Sequence, residues 1–184
     1  HAPRDEIGDL ALAFNEMAPQ VEQRQTALAA EAWVKNSQAR LSRVLEGQRD
    51  LHGLCNAVLS ELAQLLGVQH GGIYLPAVEG DRTRLLLHGT YAATDAPPSI
   101  DAGAGLIGQA FSEGRRIQID TLPDNYVRIG SALGSAPSRH LLVFPVVLHG
   151  EVSAVVELAS FQPTTELQLR FLEQFSDSLA LVVH

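Results

Sequence analysis

Five residues in the stretch 121–140 carry groups suited to gripping a small molecule: Tyr126, Arg128, Ser131, Arg139 and His140. A phenol, two guanidiniums, a hydroxyl and an imidazole can together hold a carboxylate, a phosphate or a flat ring. Pro123, Gly130, Gly134 and Pro137 are interspersed among them, so the segment reads as a long loop. Long loops in compact domains are commonly functional, and small residues let backbone approach a ligand. These five are the candidate ligand-binding residues. The competing reading is a lid without a ligand, its polar groups satisfied within the chain.

Other reactive types are sparse. His52 and Cys55 stand three apart on one helical face, but two ligands do not make a zinc site. His140 and His149 fall at opposite ends of an expected strand and cannot share a metal. No metal, no cofactor and no catalytic residue is expected. Cys55 is the single cysteine, which rules out an internal disulfide and fits a reducing compartment.

The elements that must position these groups differ along the chain. Leu10, Phe14, Met17 and Val21 are spaced 4, 3, 4 and form one stripe of a helix, as in a coiled-coil seam. Pro19 lies inside that stripe and is expected to kink or break it. Residues 22–40 are rich in Ala and Gln, with strong helix propensity and a poor stripe. Apolar rows return at Leu41, Leu45, Gln48, His52, Cys55, Leu59, Leu62 and Leu66, and beside them at Val44, Leu51, Val58 and Leu65. Such a face is wider than a two-stranded seam needs. Its earlier part is expected to meet a partner chain and its later part the chain's own domain. The expected dimer seam is Leu41, Val44, Leu45, Gln48, His52, Cys55 and Leu59. The 10–21 stripe extended by sevens reaches Leu28, then Lys35 and Ser42, so a phase break is expected between 28 and 41.

After Gly67, a plausible helix stop, the period changes to that of strands. Gly72 to Leu75 reads as a strand ended by Pro76, and Arg84 to His88 as the next. Leu106 to Glu113 is a short helix closed by Gly114, and Arg116 to Ile119 alternates as a strand. Leu141 to Leu148 and Glu151 to Leu158 flank a His149-Gly150 hairpin turn. Thr164 or Thr165 caps a last helix bearing Leu167, Phe171, Leu172, Phe175 and Leu179. The expected fold is α+β: an antiparallel sheet of about five to six strands flanked by helices, behind a long N-terminal coiled-coil helix.

Composition narrows the classes. The 184 residues are 46% hydrophobic and 18% charged, too apolar for a disordered chain. A net charge of −8 disfavours nucleic acid and anionic lipid as partners. No apolar run of about 18 residues is present, so nothing in the sequence is expected to span a membrane. The start at His1-Ala2-Pro3 and the apolar end, Leu179 to Val183, read as cuts through a longer protein.

Two family resemblances follow from these residues. Asp5-Glu6-Ile7-Gly8-Asp9-Leu10 with Phe14-Asn15-Glu16-Met17 resembles the second helix of a HAMP module. Residues 46–184 resemble a GAF domain, in element order, in Gly105-Leu106-Ile107-Gly108-Gln109-Ala110, and in the closing hairpin from Phe144-Pro145-Val146 to Val156-Glu157-Leu158-Ala159. Asp124 to Gly134 is similar to GAF domains that follow HAMP modules in bacterial hybrid histidine kinases. The implied division is 1–20 for the partial HAMP helix, 21–45 for a coiled-coil signalling linker and 46–184 for the GAF domain. The resemblance implies a parallel homodimer, the cytosolic part of an inner-membrane sensor kinase in a two-component phosphorelay, and kinase machinery beyond residue 184. A purely structural dimerisation spacer is the alternative.

No catalysis is expected within the segment, because no His is followed by the Glu a phosphoacceptor helix needs. The resemblance also sets ligand limits. The cyclic-nucleotide signature pairs Asn-Lys with Phe-x-x-x-Asp-Glu; here Thr165 replaces the Asp, and no lysine follows Lys35. A bilin would need a cysteine near the pocket, whereas Cys55 lies in an apolar helical row. A sulfoxide reductase of this family would need reactive cysteines.

Overall fold

The computed structural model describes residues 4–47 and 50–183. The chain divides into two units, residues 1–37 and 38–184. Helix α1, Arg4–Gly47, begins in the first and ends in the second.

In the first unit α1 runs through Pro19 as one helix, so of the kink or break expected there the break does not occur. One missing donor is outweighed by a long flanking run of Ala, Gln, Glu and Leu, the best helix formers. Leu10, Phe14, Met17, Val21 and Leu28 are all exposed, so the stripe is bare on the single chain. A Glu31–Lys35 ion pair at 2.7 Å braces the next turns, and Lys35 holds the Glu31 carboxyl below its ordinary value. The side chains of residues 4–7 and 9, within the HAMP-like signature, lie outside the described ones.

In the second unit the apolar rows from Leu41 to Leu66 are divided between two helices. Helix α1 stops at Gly47, and α2, Leu51–Leu66, starts afresh. Asp50 is extended and its carboxylate accepts from the Gly53 N–H at 2.8 Å, a side-chain N-cap that ends the continuity. Gly67, left-handed at φ 69°, closes α2 as expected.

The remaining elements are β1 (His70–Glu79), β2 (Arg82–Tyr91), β3 (Ser99–Asp101), α3 (Gly105–Glu113), β4 (Ile117–Ile119), β5 (Arg128–Ser131), β6 (Gly134–Pro137), β7 (His140–Leu148), β8 (Glu151–Ser160) and α4 (Glu166–Val183). Six strands form one sheet in the order β3-β2-β1-β8-β7-β4, all neighbours antiparallel. Strand β1 passes through Pro76 rather than ending there. Beyond Tyr74 it no longer pairs with β8, so proline sits where one side asks for no ladder bond. The 121–140 stretch is not one loop: β5 and β6 make a separate two-stranded ribbon within it. Period-2 reasoning missed it because Arg-Ile-Gly-Ser and Gly-Ser-Ala-Pro bury almost nothing. The His149-Gly150 turn joins β7 to β8 with both residues at positive φ, as two-residue hairpins require. Thr165 caps α4 reciprocally: its Oγ1 accepts from Gln168 N, and Gln168 Oε1 accepts from Thr165 N.

Alternation along the strands assigns two faces. Ile73, Gly89, Val156 and Leu158 face α2 and α4; a side chain at Gly89 would meet Cys55, and one at Gly71 would meet Leu59 and Leu158. The opposite face carries Tyr74, Leu85, Leu141, Val143, Val155 and Ala159, with Ile107 and Ala110 of α3 packed on it.

Cys55 lies on the α2–α4 side and is fully buried, and desolvation pushes its thiol up to about 11. At pH 8 that leaves about one thiolate in a thousand. Native chain should therefore resist Ellman's reagent for many minutes, and urea-unfolded chain should release one equivalent at once. Fast labelling of the native chain would contradict this burial.

Candidate functional site

Strand β8 is central, flanked by β1 and β7, and one residue on its α3 face is charged. Glu157 stands between Val155 and Ala159 on that face, opposite Gly72 of β1 and Val143 of β7. Gly72 offers no side chain across from it, and the Tyr74 ring lies 3.3 Å from where its Cβ would stand. Burial pushes the Glu157 carboxyl above its ordinary value. It accepts no hydrogen bond and makes no ion pair among the described residues.

A cavity of about 590 Å³ opens over this point, within the range of small-molecule sites. Its floor is Gly71, Gly72, Tyr74, Leu141, Glu157 and Ala159; one wall is the 92–97 loop and the other the 126–131 segment. Tyr74 is buried, and its hydroxyl donates to the Pro97 carbonyl at 3.2 Å, tying the first wall to the sheet. Burial first and the Glu157 charge second push the Tyr74 phenol up to about 12. Tyr126 on the other wall is half exposed, and its phenol is raised by burial and by Glu157 in the same order. His70 lines the cavity where β1 begins; burial lowers its pKa, opposed by the Asp95 carboxylate. The ribbon wall is anchored at its base by Ser138, fully buried, whose N–H donates to Val127 O at 2.8 Å and whose hydroxyl lies 3.0 Å from Ser160 O.

Of the five residues expected to bind a ligand, Tyr126, Arg128 and Ser131 line this cavity. Arg128 is already engaged, donating from Nη2 to the Ser135 hydroxyl at 3.0 Å and carbonyl at 3.2 Å. Arg139 and His140 are not among the lining residues. Arg139 pairs with Asp124 at 3.1 Å, and His140 Nδ1 lies 3.9 Å from Asp120. Sequence reasoning missed Glu157, Tyr74, His70 and Asp95. The one available signal was a lone acid inside the apolar run Ala154-Val155-Val156-Glu157-Leu158-Ala159.

The expected seam is redistributed. Leu41, Cys55 and Leu59 are fully buried within the single chain, so their surface is not offered to a second copy. Val44 and Leu45 are half-buried, His52 is exposed, and Gln48 lies outside the described residues. Among the described residues no cluster of three or more metal-ligating side chains occurs.

A profile of the GAF domain family matches residues 48–184, about three quarters of the chain. The chain belongs to the GAF family. Solved GAF structures share its fold at low identity. The GAF domain of the Acinetobacter phosphoenolpyruvate-protein phosphotransferase is 18% identical, with TM-score 0.65, 82% of this chain and 92% of that one covered. Its Coxiella burnetii counterpart is 15% identical, with TM-score 0.64 and coverages of 82% and 94%. The free methionine-R-sulfoxide reductase of Neisseria meningitidis, solved with its substrate, is 20% identical, with TM-score 0.64 and coverages of 82% and 87%. No curated protein matches the chain. Within this GAF domain the cavity and the α2–α4 side lie on opposite faces of one sheet.

Proposed function

We propose that the chain is the dimeric, signal-relaying segment of a two-component sensor histidine kinase, in which the GAF cavity admits a small-molecule input. The observation that carries the ligand half is an unpaired, half-buried carboxyl facing a 590 Å³ cavity, since a desolvated acid without a partner costs stability and such groups cluster at functional sites. The neisserial relative was solved with a small-molecule substrate, which supports a ligand-holding role for this fold. The relay half draws on the bare stripe of α1 and on its HAMP-like residues. No described helix is long and apolar enough to cross a membrane, so an inner-membrane location would come from the parent protein outside this segment. We read the segment as non-catalytic. Its single cysteine is buried on the face opposite the cavity, out of reach of a bound sulfoxide.

Two measurements test this reading. In sedimentation the chain should run at twice 19.8 kDa at tens of micromolar. Phe14→Glu with Val21→Glu should weaken the dimer at least about tenfold, or about 1.4 kcal/mol. A monomer at that concentration removes the dimer. In the parent kinase, deleting seven residues between 22 and 36 should preserve output, and deleting four should lock it, because only the first keeps heptad phase. Output indifferent to both would make α1 a passive tether and leave the structural spacer as the better account.

A further inference from the structure

We propose that the GAF cavity selects a small organic cation, an ammonium head on an apolar body, seated at Glu157 between the Tyr74 and Tyr126 rings. This rests on the reading of the cavity as a ligand site and adds the chemistry of the ligand.

The charges around the cavity carry the argument. Two carboxyls line it, Glu157 in the floor and Asp95 on the 92–97 wall. Arg128 is the one arginine or lysine among the lining residues, and its guanidinium is turned to Ser135. His70, the remaining basic group, is biased towards its neutral form by burial. An anion would have to settle beside two acids, with Arg128, already bonded to Ser135, as the one guanidinium to receive it. An ammonium would find a carboxyl with all its acceptor positions open.

The surroundings of Glu157 fit the same head group. Tyr74 on the neighbouring strand and Tyr126 on the far wall line the same cavity, and both phenols respond to its charge. A cation beside a carboxylate and aromatic rings gains from both. Leu141, Ala159, Gly71 and Gly72 provide the apolar floor for the rest of the molecule. A purely structural account explains Glu157 poorly. On the same face its strand neighbours are Val155 and Ala159, and an apolar residue there would complete the core without a desolvated acid.

The test is calorimetry on the 184-residue chain with four probes that share a phenyl ring: phenethylamine, phenylalanine, 3-phenylpropionate and 3-phenylpropanamide. Phenethylamine should bind at least tenfold more tightly than the propionate and the amide. Glu157→Gln, which keeps the side chain's shape, should bring the amine to within about twofold of the amide. Circular dichroism of that variant establishes that it is folded. If the propionate or the amide binds as well as the amine, the cation assignment fails while the cavity remains a ligand site. An amine preference that survives Glu157→Gln also overturns it. If no probe binds below about 10 mM, both the assignment and the ligand-site reading fall.

Discussion

Gly89→Ala should be severely damaging to the GAF domain, lowering stability by about 3 kcal/mol or more and the melting temperature by roughly 6–12 °C. A Cβ at Gly89 would stand 2.6 Å from Cys55 Cβ, 2.9 Å from the Cys55 carbonyl carbon and 3.0 Å from Asn56 N. Two of these contacts are with the backbone of α2, so a rotamer change cannot relieve them. The helix would have to lift from β2, undoing the packing of Cys55, Val58, Leu59 and Leu62, all fully buried. It would also break the bond from Thr90 N to Asn56 Oδ1, 2.9 Å long. Cys55→Ala should not rescue the variant, because the Cβ and backbone atoms remain. Gly80→Ala makes a useful contrast. That residue has φ 64° but nothing within 4 Å, so only about 1 kcal/mol of backbone strain is expected. Similar melting temperatures for the two variants would show that α2 does not lie against β2 as described.

Glu157→Gln should stabilise the empty domain at neutral pH. In the unfolded chain this residue ionises near the ordinary glutamate value, about 4.3. In the folded chain burial raises that value. Between the two, the folded state keeps a proton that the unfolded state has released, so stability declines as pH rises. Above the folded value the whole penalty is present, and below the unfolded one it is absent. Glutamine carries no such penalty. The melting temperature of Glu157→Gln should therefore match that of the unaltered chain near pH 4 and exceed it at pH 7. A gain of about 1 kcal/mol, typical of one relieved buried group, corresponds to roughly 2–4 °C. His70, Asp95, Arg128, Tyr74 and Tyr126 line the same cavity and are unchanged in the variant, so the difference between the two curves isolates residue 157. A variant less stable than its parent at pH 7, or a difference independent of pH, would contradict the desolvated carboxyl.

Much of this fold was legible because its strands and helices obey clean periods. The α2 rows, the α3 turn, the β7–β8 hairpin and the Thr165 cap each rest on local residue types that permit few alternatives. The end of α1 was not legible. Residues 41 to 66 keep a single apolar phase across the gap, and only Asp50, an ordinary capping residue, interrupts it. Pro19 misled in the other direction, since local rules overrate one proline within a long favourable run. The site was half legible. Tyr126, Arg128 and Ser131 were found from loop composition, whereas Arg139 and His140 are turned to Asp124 and Asp120. Glu157 and Tyr74 belong to strands, where the sheet's pleat decides which side a residue faces. That choice depends on long-range pairing with Gly72 and Val155, which no local pattern encodes.

The cap at Asp50 has a mechanical corollary. A twist arriving along α1 cannot pass into α2 as torsion of one rod, because α2 begins its own helix there. It must be handed across by side chains. Arg40 reaches the Glu61 carboxylate and also Gln64 at 3.0 Å, and Gln38 reaches Gln174 on α4 at 2.8 Å. The last turns of α1 are thus geared to both α2 and α4, and a rotation there reaches the final helix without deforming the sheet. The two glutamine contacts are soft teeth, since exposed polar contacts are each worth about 1 kcal/mol or less, while the Arg40–Glu61 pair is half-buried. On the relay and ligand reading proposed above, a molecule in the cavity would push instead on the plate of β1 and β8. The domain would then have a compliant input and a stiff one, arriving at α4 from opposite sides.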